Sequence, residues 1–316
     1  MKNIIEFEVG DDIQSFFIIK DLNLKTSSNN KKYFDMTLSD KTGQMNSKVW
    51  DIKDEMIDLY KTGAIVKVKG VVTLWQNNKQ LKISKIRLKN DADNVDINEL
   101  VPSAPIEPSL MYKEIFELTD LMENNDVKKL VQYFLTENKE KLMYYPAAKS
   151  NHHSIRAGLL YHILRMLKVG KGLVKVYPNI DSDLLYAGII LHDMEKINEM
   201  ISDEMGIVSS YSFNGQLLGH LIMGIKKVDE AAKKLNVDEE ISSLIQHMIL
   251  SHHYEPEFGS PKKPLIPEGE LLHYIDMIDA RMYDMDKALS SVDTGEFTDG
   301  VYVLDRRRLY KSKFNK

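Results

Sequence analysis

Residues 187–200 read AGIILHDMEKINEM, an apolar helical run from Ala187 to Leu191 that delivers His192 and Asp193 side by side and is followed by Lys196. A histidine and a carboxylate at the end of a buried run are costly unless paired or bound to a metal. Adjacent side chains of a helix diverge by about 100°, since a turn holds about 3.6 residues, yet they can converge on one ion lying between them. Lys196 follows Asp193 by three residues and His192 by four, so it is expected on their helix face. A cation beside a metal can hold a substrate phosphate.

The same context recurs on both sides of this stretch. His162 lies in GLLYHILRML, His220 in GQLLGHLIMG, His252 and His253 at the end of LIQHMILSHH, and Asp276 in LLHYIDMIDARM. The order is H…HD…H…HH…D, with steps of 30, 27, 32 and 23 residues for 162→192, 193→220, 220→252 and 253→276. All nine histidines fall after residue 150. A single histidine on an apolar helix is ordinarily bonded to a backbone carbonyl. Five or more ligand-type side chains on successive helices, however, leave many buried polar groups unpaired unless an ion joins them. Their nitrogen and oxygen donors suit one or two first-row divalent ions such as manganese, iron, cobalt or zinc. The chain has no cysteine, which excludes thiolate-held zinc, iron–sulfur clusters, disulfides and thiol nucleophiles. Asp279, one turn beyond Asp276, is a second-choice ligand; its ordinary reading is a salt bridge with Arg281 or another base. His247 and His273 read as structural or as supports behind the ligands. His152 and His153 read equally as substrate contacts or helix-start residues.

These motifs sit in a helical half. From Met111 onward apolar residues recur at three- and four-residue steps, and helices are expected over 154–176, 183–200, 217–235, 239–252 and 268–289. Residues 1–90 differ. Tyr33–Leu38 alternates, with Phe34, Met36 and Leu38 on one face; 64–72 and 80–88 alternate too, and turn signals at 27–30, 41–43 and 76–78 separate the runs. Five or so short strands in about ninety residues fit an OB-type barrel. Residues 91–110, with Pro102, Pro105 and Pro108, read as a linker, because proline interrupts helices and central strands. The expected organisation is therefore multi-domain. An all-β OB-type barrel over 1–90 is followed by the linker, an all-α bundle over 111–292, and a basic tail over 293–316 carrying Arg306, Arg307, Arg308, Lys311, Lys313 and Lys316.

Composition and charge agree with two domains. The 316 residues are 43% apolar and 28% charged, as in soluble globular proteins. Net charge is −5, but residues 1–90 carry +5 and the remainder −10. A basic domain recruits polyanions by counterion release. No run approaches the roughly 18 apolar residues of a membrane span. The acidic N-terminus lacks the apolar core of a signal peptide, so the cytoplasm is the expected location.

The full series with HDMEK, near HDxGK, resembles the HD superfamily of metal-dependent phosphohydrolases. YFDMTLSDKTGQMNSKVW and GAIVKVKGVVTLWQNNKQLKI resemble OB-folds of the anticodon-binding type. Taken with NHHSIRAGLLYHIL, DLLYAGIILHD, LSHHYEPEFGSPKKP and the terminal RRRLYK, nearly the whole chain is similar to YhaM-type 3′→5′ exoribonucleases. GSP after the paired histidines sets the chain apart from the HD-GYP phosphodiesterases. Glu195 stands where HDxGK has glycine, Tyr254 follows the paired histidines where glycine is common, and Gly158 lies one turn before His162 where some HD enzymes place a glutamate ligand.

The resemblance implies hydrolysis of single-stranded RNA from its 3′ end to nucleoside monophosphates, with manganese as the metal. His162, His192, Asp193, His220, His252, His253 and Asp276 would be its ligands, with Asp193 bridging and Lys196 neutralising charge on the phosphate. The barrel would grip RNA by stacking bases on aromatic side chains and tracking the backbone with lysines. Candidates are Tyr33, Phe34, Trp50 and Trp75, with Lys31, Lys32, Lys48, Lys79 and Lys82. Because Tyr33 and Phe34 alternate, one of the two belongs to the core; Trp50 is a core candidate too. Single-stranded DNA as a further substrate and self-association stay open. The alternatives are an HD phosphohydrolase of small or cyclic nucleotides, which needs no polymer-binding domain, and a non-catalytic RNA-binding protein, which would have lost ligands.

Overall fold

Alternating burial builds the first unit. In β2 (Lys32–Asp40), Phe34, Met36 and Leu38 point inward and are each 1% exposed. They meet Ile13, Phe17 and Ile19 of β1 (Asp12–Thr26), Met45 and Val49 of β3 (Gly43–Trp50), Val66, Val68 and Val72 of β4 (Ile65–Trp75), and Leu81 and Ile83 of β5 (Asn78–Leu88). The strands close in the order β1-β2-β3-β5-β4, with β3 and β5 parallel and the other pairs antiparallel. Asp40 fixes the β2–β3 turn: its Oδ1 accepts from the Thr42 and Gly43 amides, and its Oδ2 from the Ile4 amide at 2.7 Å. The expected OB-type barrel is present.

This computed structural model describes residues 2–27, 29–50, 52–76, 78–150 and 152–314. Ser28 and Asn77 of the expected turns and Lys316 of the basic terminus lie outside the described residues. The chain divides into two units, Met1–Ser103 and Ala104–Lys316.

The second unit is helical: α1 (Pro108–Asp120), α2 (Asn125–Glu137), α3 (Lys139–Leu142), α4 (Gly158–Val176), α5 (Ser182–Leu191), α6 (Lys196–Glu199), α7 (Phe213–Leu235), α8 (Glu239–Ser251) and α9 (Pro267–Leu289). Helix starts follow capping chemistry. Asp181, Ser212 and Asp238 accept from the first-turn amides of α5, α7 and α8. The apolar faces share one core in which Leu160, Ile163, Ile189, Ile190, Ile245, Ile249, Leu272 and Ile275 are fully buried. Two departures from the expected helices bear on the site. The helix expected over 183–200 stops at Leu191, turns through His192–Glu195 and resumes as α6; a short hairpin, β6 (Met200–Ser202) with β7 (Val208–Tyr211), follows. In α7 the helix breaks at Gly219 (φ 68°, ψ 165°), just before His220. Residues 293–316, expected as a tail, carry bridges Phe297–Tyr310 and Val301–Arg307, with Leu304 buried.

Candidate functional site

Five elements deliver the seven expected ligands. His162 comes from α4, His192 and Asp193 from the turn after α5, His220 from α7 beyond its break, His252 and His253 from the end of α8, and Asp276 from α9. His192 and Asp193 stand at the start of the turn that follows α5, and their side chains approach each other there. Asp193 is the hub. Its Oδ1 lies 3.3 Å from His220 Nε2 and 3.8 Å from His252 Nε2. Its Oδ2 lies 3.4 Å from His192 Nε2 and 4.0 Å from His162 Nε2, and accepts from Lys196 Nζ at 2.6 Å. Asp276 Oδ1 is 3.3 Å from His162 Nε2.

The second nitrogen of each imidazole explains its orientation. His192 Nδ1–H donates to the Ile189 carbonyl and His252 Nδ1–H to the Ile249 carbonyl, both at 2.9 Å. His253 Nδ1–H donates to the Phe258 carbonyl at 2.6 Å, and His220 Nδ1–H to Glu199 Oε1 at 3.2 Å. His162 Nδ1–H donates to Asp279 Oδ2 at 2.8 Å. A carbonyl or carboxylate oxygen can only accept, so each Nδ1 carries a proton, and in the neutral ring Nε2 then keeps its lone pair. The buried Nε2 atoms of His162, His192, His220 and His252, with Asp193 Oδ1, have no hydrogen-bond partner. An unsatisfied buried polar atom costs about 1–3 kcal/mol, and these five face one another. Asp193, His220, His252 and His253 hold donor atoms within 4.8 Å of one another; so do His162, His192 and Asp193, and so do His192, His252 and Asp276. The donor set fits a divalent cation, and Asp193 belongs to two of these groups through different oxygens.

The electrostatics match. Burial pushes the Asp193 carboxyl up, but Lys196 and the surrounding imidazoles pull it well below the usual carboxylate range. Burial pulls Lys196 down, and Asp193 outweighs it, so the ammonium stays charged. His162 is likewise lowered by burial but raised by Asp276 and Asp279, to about 9; without a cation its Nε2 therefore holds a second proton facing Asp276, and a bound cation would have to displace that proton. Burial takes His152 and His153 to about 4.

Several contributors were not legible in the sequence. Asp279, a second-choice ligand with Arg281 as its expected partner, instead takes three donors: His162 Nδ1, His153 Nε2 at 2.7 Å, and Arg165 Nε. Arg281 pairs with Asp305. Glu199 holds His220 by both its backbone amide and its ring. The only sequence signal was the i+3 spacing of Asp279 from Asp276. His273 Nδ1–H donates to the His252 carbonyl, and His247 Nε2 accepts from the Leu265 amide. Gly158 fits because a Cβ there would lie 2.0 Å from the His153 carbonyl oxygen.

On the barrel, Phe34 corrects an expectation. At 1% exposure it fills the core with Met36 and Leu38, and it cannot stack on a base. Tyr33, its outward neighbour, stacks on Trp50 with ring centroids 4.4 Å apart. Trp50 is 42% and Trp75 60% exposed, and Lys48 Nζ lies 5.5–6.0 Å from the rings of Tyr33, Trp50 and Trp75. Lys32 pairs with Asp54 at 2.7 Å, and Lys79 donates to the Phe7 carbonyl and Glu8. The Lys31 amide donates to Ser27 Oγ at 3.2 Å.

Residues 18–88 match the OB-fold nucleic acid binding domain family and residues 159–281 the HD domain family. The 3′-5′ exoribonuclease YhaM of Geobacillus sp. strain WCH70 is 39% identical over 314 residues, 99% of this chain and 96% of the relative. The chain belongs to the YhaM exoribonuclease family. Among solved structures, the second OB-fold domain of replication protein A from Methanococcus maripaludis is 16% identical and covers 30% of this chain and 98% of its own, with a TM-score of 0.24. A replication factor A related protein from Methanobacterium thermoautotrophicum is 15% identical and covers 30% and 94%, with a TM-score of 0.25. Among the described residues of this YhaM family member, no helix is long and apolar enough to cross a membrane.

Proposed function

We infer that this chain is a 3′-5′ exoribonuclease that hydrolyses single-stranded RNA to nucleoside monophosphates at the HD cluster. The observation that carries the reading is the set of buried Nε2 lone pairs and Asp193 Oδ1, unpaired and facing one another. His162, His192, Asp193, His220, His252, His253 and Asp276 would hold one or two divalent ions; the nitrogen and oxygen donors admit manganese, iron, cobalt or zinc, and the family resemblance favours manganese. When bound, such an ion supplies positive charge against phosphate oxygens and acidifies water.

The chain's own residues do the rest. The ammonium of Lys196 has three donors; one goes to Asp193, and another is offered to the non-bridging oxygens as charge develops on the phosphate. Asp279 and Glu199 keep His162 and His220 in the tautomer that presents Nε2. Tyr33, Trp50 and Trp75, with Lys48 among them, would stack successive bases without regard to sequence. That platform favours a polymer over a mononucleotide.

The test is a 5′-labelled single-stranded RNA incubated with the protein and manganese, beside the same RNA blocked at its 3′ end. A ladder shortening from the 3′ end, absent for the blocked strand, supports the reading. An intact strand across several divalent metals overturns it and redirects attention to small nucleotides.

A further inference from the structure

The barrel carries a second charged surface, beside the aromatic platform. On the outer face of β4 and β5, Lys67 stands opposite Arg87 and Lys69 opposite Lys85 in the antiparallel register. Like charges directly opposite each other destabilise a sheet. Two carboxylates answer these four cations: Asp93 takes Arg87 through both oxygens, at 2.5 and 2.6 Å, and Asp12 lies 3.9 Å from Lys69. Among the described residues no carboxylate comes within ion-pair distance of Lys67 or Lys85. Lys67 lies over the ring of Phe16 and Lys85 is exposed.

The surface is concave, for a reason visible in the strand register. β3 pairs with β5 as far as Val49–Ile83, and β5 then runs on to Leu88 with β4 alone as partner. The β4–β5 register slips at Lys69/Gly70, leaving Ser84 as an extra residue on β5; such a bulge bends the strand. The gap between the end of β3 and the second half of β5 is a groove of about 780 Å³, lined by Lys67, Lys69, Lys85 and Arg87 with Trp50 at its wall. Trp50 is also the ring stacked on Tyr33, so platform and groove share a residue.

We propose that this groove is a phosphate-binding extension of the platform, taking the sugar–phosphate backbone of a single strand beyond the stacked bases. The proposal rests on the RNA-binding reading above. Its surplus charge comes from Lys67 and Lys85, and its contacts are to phosphates, so it discriminates by strand length and not by sequence.

The test uses the full chain, labelled oligoadenylates of about 5 and about 12 nucleotides, within the range an OB-fold covers, and the double variant Lys67→Ala/Lys85→Ala. The variant should bind the short strand as the wild type does and the long strand more weakly. With a salt slope of about −0.7 per phosphate on single strands, two lost contacts make the wild type's loss of long-strand affinity between about 50 and 200 mM salt roughly sevenfold steeper than the variant's. Its Tm should change little, because relief of the like-charge oppositions is offset by loss of the Lys67 contact with the Phe16 ring. Identical affinities and salt slopes for wild type and variant on the long strand would overturn the proposal, as would equal losses on both lengths. If the wild type binds neither strand, or Trp75→Ala binds both undiminished, the platform reading itself fails and the extension falls with it.

Discussion

Asp279→Asn is the substitution that most sharply separates a residue that holds metal from one that holds a ligand. The carboxylate is 2% exposed and accepts from His153, His162 and Arg165. Asparagine keeps one acceptor oxygen and puts an amide N–H₂ where the second oxygen was. That group faces either Arg165, a donor against a donor, or His162 Nδ1, which must then accept and move its proton to Nε2. A protonated Nε2 cannot bind metal. Loss of such an orienting partner costs about 10–100-fold in metal affinity. Folding also suffers: breaking a fully buried ion pair costs about 3–5 kcal/mol. The Arg165 side chain is 28% exposed, so water recovers part of this and about 2 kcal/mol remains. For a unit of this size that lowers Tm by about 4–8 °C. The assay is calorimetric titration of metal-free protein with manganese, with Asp193→Ala as the reference for a lost ligand. Affinity intermediate between wild type and Asp193→Ala is expected. Wild-type affinity would refute the orienting role, and complete loss of binding would make Asp279 a ligand.

Other outcomes are as open to measurement. Trp50→Ala and Trp75→Ala should each weaken RNA binding by about 1–3 kcal/mol, the worth of one stacked base, while hydrolysis of bis(p-nitrophenyl) phosphate is unchanged; parallel losses on both substrates would remove the platform's role. Gly219→Ala places a side chain at φ 68°, ψ 165°, a region nearly restricted to glycine, so it should cost about 1–3 kcal/mol and weaken metal binding through the adjacent His220; a wild-type Tm and affinity would contradict this. Burial raises the Glu195 carboxyl, with Asn198 opposing. An acid whose folded pKa exceeds its unfolded value of about 4.3 binds more protons when folded, so it loses stability as pH rises. Glu195→Gln should therefore gain Tm relative to wild type as pH rises above the unfolded value of about 4.3, and parallel curves would refute the assignment.

How far the sequence reached depends on the kind of regularity involved. Period-2 alternation at Phe34, Met36 and Leu38 is local, and it located the barrel. The same alternation already put one of Tyr33 and Phe34 in the core, and burial shows that it is Phe34. The ligand series was legible because its residues interrupt apolar helices. What was hidden is long-range: Arg165 and His153 meet Asp279 across more than a hundred residues, and no periodicity records such a meeting. The break after Leu191 was missed because the apolar pattern continues through Met194 and Ile197, both buried. Burial continues through the turn, so the apolar pattern alone does not mark it.

The central claim is that RNA hydrolysis depends on a cation held by the Asp193 cluster. The direct measurement is to strip the protein with chelator, add back manganese in steps, and record bound metal and 3′-end cleavage in the same samples, for wild type and Asp193→Ala. Cleavage should rise in proportion to metal bound by the wild type, and Asp193→Ala should neither retain the metal nor cut. Cleavage that persists in the stripped protein, or that survives in Asp193→Ala, would contradict the account.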